Sequence, residues 1–485
     1  MRLISLHTAL LALGGLACAT SAGAAPLLLA TGTLTGSAAG ANADLSGLTG
    51  TLENGLPANI LGGTGSGIAY AGGNTFIAVP DRGPNATPYA SGVDDTVSYV
   101  PRFNTITMNL APATSGSLPF ALTPTLQSTT LLSSRTPLAY GTGAGIATNS
   151  GAPLGSGVPA GNTPTVNYFS GRSDNFDPAV PNSGNPNNAR LDPEGVRVSN
   201  DGRSVFVSDE YGPYVYQFDR QTGERIRSYA LPANLDVSNL SPVGQTEIDG
   251  NPVGRVANKG MEGLAITPDG KTLVGIMQAG LEQDTASPKL LRIVTVDVAT
   301  GATHEYGYLL HGGSGVSEIV AINDHQFLVD ERDGKGLGDN SNAKVKTAYE
   351  IDLAGAQDIT GLTGNAAAAL AVPSRQVADF VSLLSSQLGL TPAQIPSKIE
   401  GFAFGSDVSY NGSTLHTLYV ANDNDFLPGS SGPNTFYVFG PTDADLFGNF
   451  VQQGFTAVPE PASLGLFGIG LATLLTTRRR QRREG

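Results

Sequence analysis

One phrase recurs five times along this chain and restricts its fold more than any other feature. EGVRVSNDGRSVFVSDE (194–210) opens on Glu-Gly, runs through a short apolar strand, turns at Asn-Asp-Gly and returns through a second strand to paired acids. EGLAITPDGKTLVGIMQ (262–278) repeats the plan. SEIVAINDHQFLVDERDG (317–334) and EGFAFGSDVSYNGSTLHTLYVANDND (400–425) vary it, and SGIAYAGGNTFIAVPDRG (66–83) is a fifth copy. Period-2 alternation around a Gly-bearing turn marks a β-hairpin. VYQFD (215–219) and RIRSYALP (225–232) add two strands to the second copy, and LLRIVTVDVATGATHEYGYLL (290–310) does the same for the third. Each repeat is therefore a four-stranded antiparallel meander. Meanders spaced 68, 56 and 82 residues apart, Glu to Glu, predict the blades of a β-propeller with loop insertions. A β-sandwich also alternates, but it does not usually repeat a four-strand unit. The expected fold class is all-β, a β-propeller of five to seven such blades. LLLATGTLTG (27–36) is a candidate strand for closing the ring.

Composition agrees: 63 glycines, 31 prolines and only 14% charged residues suit short strands and tight turns. Two segments break the pattern. Residues 133–190, rich in Gly, Ser, Asn and Pro, read as a long surface loop. SRQVADFVSLLSSQLG (374–389) reads as one inserted helix, capped by Ser374, ended by Gly389, with Val377, Phe380, Leu384 and Leu388 on one face.

The ends read as addresses. Met1-Arg2, the apolar run LISLHTALLALGGLAC and Ala22-Gly23-Ala24 form a signal peptide over 1–24. The only cysteine, Cys18, falls inside it, so the exported part has no disulfide or thiolate metal ligand. At the other end come VPEP (458–461), a short apolar stretch over 462–477 that reads as a transmembrane helix, and RRRQRR (478–483). This order resembles the bacterial PEP-CTERM sorting signal. That resemblance implies an exosortase-type sorting enzyme as partner, transient membrane anchoring, and delivery to the cell envelope, surface or exterior. The expected domains are 1–24, a propeller over 25–457 and a sorting signal over 458–485. The net charge of −14 argues against nucleic acid as a partner, because phosphate backbones call for clustered Lys and Arg.

Why do acids sit at both ends of each hairpin? In a meander, the loop entering the first strand and the loop joining the second to the third lie on one face. Glu194, Glu262, Glu318 and Glu400 enter first strands; Asp81-Arg82, Asp209-Glu210, Asp330-Glu331-Arg332-Asp333 and Asp423-Asn424-Asp425 follow second strands. Repetition along the chain thus becomes a ring of carboxylates around one mouth of the central channel. So many acids need counter-charge, and a hard divalent cation with oxygen ligands, Ca2+ above all, supplies it. Arg82, Arg102, Lys259, Arg332 and Lys335 lie in or beside the same segments and suit the oxygens of a phosphate ester. For any single acid, a turn or capping role explains the residue as well. No G-x-S-x-G elbow and no nucleotide-binding glycine motif is present in context. His304, His311, His325 and His416 lack metal-ligand spacing and read as ordinary strand or loop residues.

In order, SGIAY…PDRG, PRF (101–103), DPEGV…VSDEYGP, NKGMEGLAITPDGKTL, SEIVAINDHQFLVDERDGKG and KIEGFAFG…LYVANDND resemble the phytase-like family, "esterase-like activity of phytase", over most of residues 45–440. The resemblance implies a secreted β-propeller and phosphate-ester hydrolysis, and a more distant similarity to Ca2+-dependent propeller phytases supports the metal. It carries over Asp81-Arg82, Arg102, Glu194, Asp209-Glu210-Tyr211, Glu262, Glu318, Glu331-Arg332-Asp333 and Glu400. Taken with the ring of acids and its neighbouring cations, the expected catalytic residues are Glu262, Glu318, Asp209 and Arg332. The expected substrate-binding residues are Arg82, Arg102, Lys259, Tyr211 and Lys335, and the expected metal ligands are Asp81, Glu194, Glu210, Asp330, Glu331, Asp333, Glu400 and Asp423. Gln278 stands where other repeats carry an acid. The competing expectation is a non-catalytic surface or matrix propeller that binds polysaccharide or protein, with calcium only structural.

Overall fold

The structure, a computed structural model, describes residues 25–36, 42–85, 96–143 and 155–455. The expected signal peptide and the expected tail helix at 462–477 lie outside these residues. Among the described residues no helix is long and apolar enough to cross a membrane.

Five four-stranded antiparallel blades form a β-propeller, the low end of the expected range. The first strand among the described residues is β1 (Leu27–Leu34). Blade 1 is β2 (Gly67–Tyr70), β3 (Thr75–Val79), β4 (Arg102–Pro112) and β5 (Phe120–Leu131). A two-residue ladder, β6 (Ser133–Ser134) with β7 (Asn167–Tyr168), leads to blade 2: β8 (Pro193–Val198), β9 (Ser204–Asp209), β10 (Tyr214–Asp219) and β11 (Arg225–Ala230). Blade 3 is β12 (Met261–Ile266), β13 (Thr272–Met277), β14 (Leu290–Asp297) and β15 (Thr303–Leu309). Blade 4 is β16 (Gly315–Ala321), β17 (Gln326–Arg332), β18 (Lys346–Asp352) and β19 (Ser374–Asp379). Blade 5 holds β20 (Ile399–Phe404); past a small hairpin, β21 (Val408–Tyr410) with β22 (Ser413–Leu415), come β23 (Leu418–Asn422) and β24 (Asn434–Gly440). Its outermost strand is β1, paired antiparallel with β24 from Leu27↔Gly440 to Leu34↔Asn434, so the N-terminal strand closes the ring.

Strands β2, β8, β12, β16 and β20 are innermost and pack against one another around the axis. Their faces are buried on both sides, which is why the repeated phrases read as apolar runs. Apolar clusters fill the gaps between blades. Val79, Phe103, Val196 and Val207 lie between blades 1 and 2, and Phe76, Ala403 and Tyr419 lie between blades 5 and 1.

Two segments differ from the sequence reading. The first six residues of the expected helix are instead β19, the outer strand of blade 4, paired from Ile351↔Ser374 to Thr347↔Asp379 across one register shift at Ala348/Tyr349. The helix runs Phe380–Leu388 and is capped by Asp379, whose carboxylate accepts from the N–H groups of Val381 and Ser382. Gly389 ends it in the left-handed region at φ 71°. Phe380 then packs against Phe402 and Phe439. The described part of the Gly/Asn-rich insertion is packed rather than merely draped on the surface. Phe169 joins the apolar gap between blades 1 and 2, and Arg172 is buried on Asp174 at 2.6 Å.

After β24 the chain crosses the face opposite the acidic loops. The Val451 N–H donates to Ile322 O, and Gln453 Nε2 donates to Val198 O and Asn200 Oδ1. Phe455 meets Tyr70 edge-on.

Candidate functional site: an acidic channel mouth

The innermost strands share a local defect that sets the site. Each of β8, β12, β16 and β20 slips register against its neighbour near its start, between Pro193 and Val196, Met261 and Gly263, Val316 and Glu318, and Ile399 and Phe402. A β-bulge re-aims a side chain that would otherwise follow the pleat. Here it leaves Glu194, Glu262 and Glu400 at the channel mouth. The following glycine is a matter of space. A Cβ on Gly195 would stand 2.5 Å from the Leu264 nitrogen, and one on Gly263 would stand 2.7 Å from the Ile319 nitrogen. Glu-Gly is thus one acid for the mouth and one gap for the neighbouring strand.

In blade 4 the pairing puts Ser317 at the Glu place and Glu318 at the Gly place. Glu318 is therefore not with the other expected catalytic acids; it turns down the channel. There its carboxylate accepts from the N–H groups of Leu264 and Ile319 and lies 3.2 Å from Arg197. Arg197 donates to the carbonyls of Ile68, Val196, Ile319 and Phe402. The pair reaches all five innermost strands and floors the mouth.

Above that floor the side chains form a continuous ring. Lys398 bridges Asp423 (2.8 Å) and Asp425 (2.5 Å). Arg332 pairs with Glu400, lies 3.7 Å from Glu262 and donates to Ser317 Oγ. The Arg82 N–H donates to Asp192, and its guanidinium lies between Asp192 and Asn258. Glu194 and Glu210 complete the circle. Carboxylate oxygens of Asp81, Asp423 and Asp425 lie within 4.8 Å of one another, as do those of Asp192, Glu194 and Glu210. Eight carboxyls (Asp81, Asp192, Glu194, Glu210, Glu262, Glu400, Asp423, Asp425) face three cations (Arg82, Arg332, Lys398).

The imbalance appears in the proton affinities. Burial pushes Glu210 up to about 8 and Asp192, Glu262 and Glu400 up to about 7, and neighbouring acids add to each. Burial, with Glu262, Asp192 and Glu210 nearby, raises Glu194 well above the usual range; burial and Asp423 do the same to Asp81. The acids around Lys398 outweigh its burial and raise its affinity for a proton.

Several sequence-expected residues sit elsewhere. Arg102 is fully buried on Asp44, stacked 3.9 Å from the Tyr99 ring, so it cannot reach a substrate in the mouth. Tyr211 is buried and its hydroxyl donates to Gly171 O. Asp209 accepts from the N–H groups of Asp192 and Tyr211, the turn role open to any single acid. Glu331 is tied to the amides of residues 311–313, and Asp333 pairs with buried Lys346. Asp330 is fully buried beside Arg332, and neither of its oxygens has a hydrogen-bond donor. Lys259 and Lys335 are exposed. Sequence reasoning missed Asp192 and Lys398. They stand two residues before Glu194 and Glu400, so period-2 alternation would have placed them on the glutamates' side.

A family model described as "Esterase-like activity of phytase" matches residues 59–426, three quarters of the chain. The chain belongs to the phytase-like family. A second model, the PEP-CTERM protein-sorting motif, matches residues 457–481 and marks this phytase-like protein for export to the cell envelope or surface by an exosortase-type sorting system. An "uncharacterized secreted protein" of Arthroderma benhamiae is 36% identical over 136 residues, 24% of this chain and 26% of that protein. The match thus spans about a quarter of the relative's length. Among solved structures, Kuenenia stuttgartiensis hydrazine synthase is similar at 11% identity and a TM-score of 0.31, over 76% of this chain and 81% of that one. The Cps50 (Swd1) β-propeller domain of Myceliophteria thermophila matches at 12% identity and a TM-score of 0.21, over 47% of this chain and 50% of that one. At these scores neither likeness bears on function.

Proposed function

We propose that this phytase-like protein is an exported hydrolase of phosphate esters that works with Ca2+ bound in the acidic mouth. The observation that carries the reading is the ring itself, in which eight carboxyls outnumber three cations above a closed floor. The donor set fits the ion: it is all oxygen, it carries excess negative charge, and Asp330 beside it is buried with no donor of its own. Asp81, Asp423 and Asp425 would hold an ion at one cluster, and Asp192, Glu194 and Glu210 at the other. Bound there, Ca2+ would supply positive charge that draws phosphate oxygens into an acidic site.

The protein's own residues do the rest. Arg332, Arg82 and Lys398 orient the phosphoryl group by charge-assisted hydrogen bonds, and exposed Lys259 and Lys335 draw anions toward the mouth. Glu262 lies beside Glu210 and outside both ligand clusters. With an affinity near neutrality it can lend a proton to the leaving oxygen or take one from water. The closed floor keeps the ester at the rim.

Phosphate release from phytate and an aryl phosphate, measured on the full chain in Ca2+ and then in EDTA, tests the reading. Calcium-dependent release that is lost in Glu262→Gln and Arg332→Ala, with the fold intact by circular dichroism, is expected. A folded protein that releases no phosphate in Ca2+ would leave a binding propeller with structural calcium.

A further inference from the structure

A second constellation lies away from the mouth, in the crevice between blades 3 and 4. His311 stands in the connection from β15 to β16. Its Nε2 is 3.0 Å from Ser374 Oγ, at the start of β19, and its Nδ1 is 3.2 Å from Glu331 Oε2, near the end of β17. We infer that Ser374, His311 and Glu331 form a nucleophilic triad for carboxylic esters, separate from the acidic ring.

Each member has the environment its role calls for. Glu331 has a fully buried side chain, and it accepts from the N–H groups of His311, Gly312 and Gly313 and from the Tyr308 hydroxyl. Those donors outweigh burial and hold the carboxyl below the usual range, so it stays ionised. A carboxylate at Nδ1 favours the tautomer with its proton there, which leaves the Nε2 lone pair for the serine hydroxyl. The imidazole is fixed in plane by Tyr349, stacked at 4.0 Å and 7°. It remains reachable, with its side chain 40% exposed. Register accounts for the meeting: Glu331, Tyr349 and Ser374 project from the same face of blade 4, and His311 comes to them from blade 3.

In the reaction Ser374 Oγ bonds to the ester carbonyl carbon as its proton passes to His311 Nε2. The bond to the alcohol oxygen breaks, and the alcohol leaves with that proton. Water then attacks the acyl carbon and gives a proton to His311, which returns it to Ser374 Oγ as the acid departs. The step needs no oxidant, metal or cofactor.

The full chain is treated with a fluorophosphonate probe and digested, and the labelled peptide is read by mass spectrometry. Turnover of p-nitrophenyl acetate and butyrate is measured alongside for Ser374→Ala and His311→Gln. The expected result is label on Ser374, labelling slowed at least about 100-fold in His311→Gln, and ester turnover reduced by a similar factor in both variants. No adduct on Ser374 in the folded protein, or unchanged turnover in Ser374→Ala, overturns the assignment. Ser374 is half-exposed at a strand start, so its alanine variant is not expected to disturb the fold.

Discussion

Replacing Arg197 with methionine tests whether the channel floor ties the blades together. The change keeps the bulk of the side chain and removes its charge. Four carbonyls from four blades lose a donor, and Glu318, fully buried, loses its counter-ion. Hydrogen bonds from a charged donor are worth roughly 1.5–3 kcal/mol each, but a simple sum overstates the cost. A cavity of about 40 Å3 lies beside Arg197 under the C-terminal segment, with room for water to solvate freed carbonyls. The term that survives is the orphaned carboxylate, about 3–5 kcal/mol. It also carries a pH signature. Burial already raises Glu318 to about 7 with Arg197 beside it, and without Arg197 it rises further. At pH 5 the orphan simply takes a proton, so the variant loses less stability there than at pH 8. Urea unfolding of the full chain at both pH values, with Glu318→Gln and the double variant, gives the coupling. A loss under about 1 kcal/mol at both pH values would refute the account of the floor.

Three other outcomes follow from the geometry. In EDTA the protein should melt lower at pH 8 than at pH 5.5. The ring acids have folded affinities near 7 to 8 against about 4 unfolded, so the folded state binds more protons in that window and stability falls as pH rises. Saturating Ca2+ should narrow the gap by displacing protons from its ligands Asp192 and Glu210, and calorimetry that finds Tm rising with pH in EDTA would count against the reading. Asp379→Ala should cost about 1 kcal/mol by urea midpoint through loss of the helix cap, with no effect on phosphate release.

The five hairpins were legible because each one repeats its alternation and its turn, and the ring of acids followed from strand direction alone. What escaped the sequence was smaller in scale. Aligning SEI with the Glu-Gly phrases put Glu318 at the mouth, but the bulge gives that place to Ser317; one residue of slip exchanges the two sides of a strand. Outer strand β19 hid inside a helical pattern because Val377, Phe380, Leu384 and Leu388 recur at helical spacing, while Ser374-Arg375-Gln376 carry no apolar alternation of their own. Arg102 reads as a rim cation until the chain brings back Asp44, 58 residues earlier, to neutralise it. His311 had no spacing to recommend it, since Glu331 and Ser374 lie 20 and 63 residues away and only blade packing joins them.

The C-terminal segment that crosses the propeller has one more consequence. It passes over the turns at the base of the blades, and residue 455 comes to rest against Tyr70 and Gly72, two residues before the sorting motif begins. The described chain therefore heads for the motif from the foot of the propeller, and the charged opening lies at the other end.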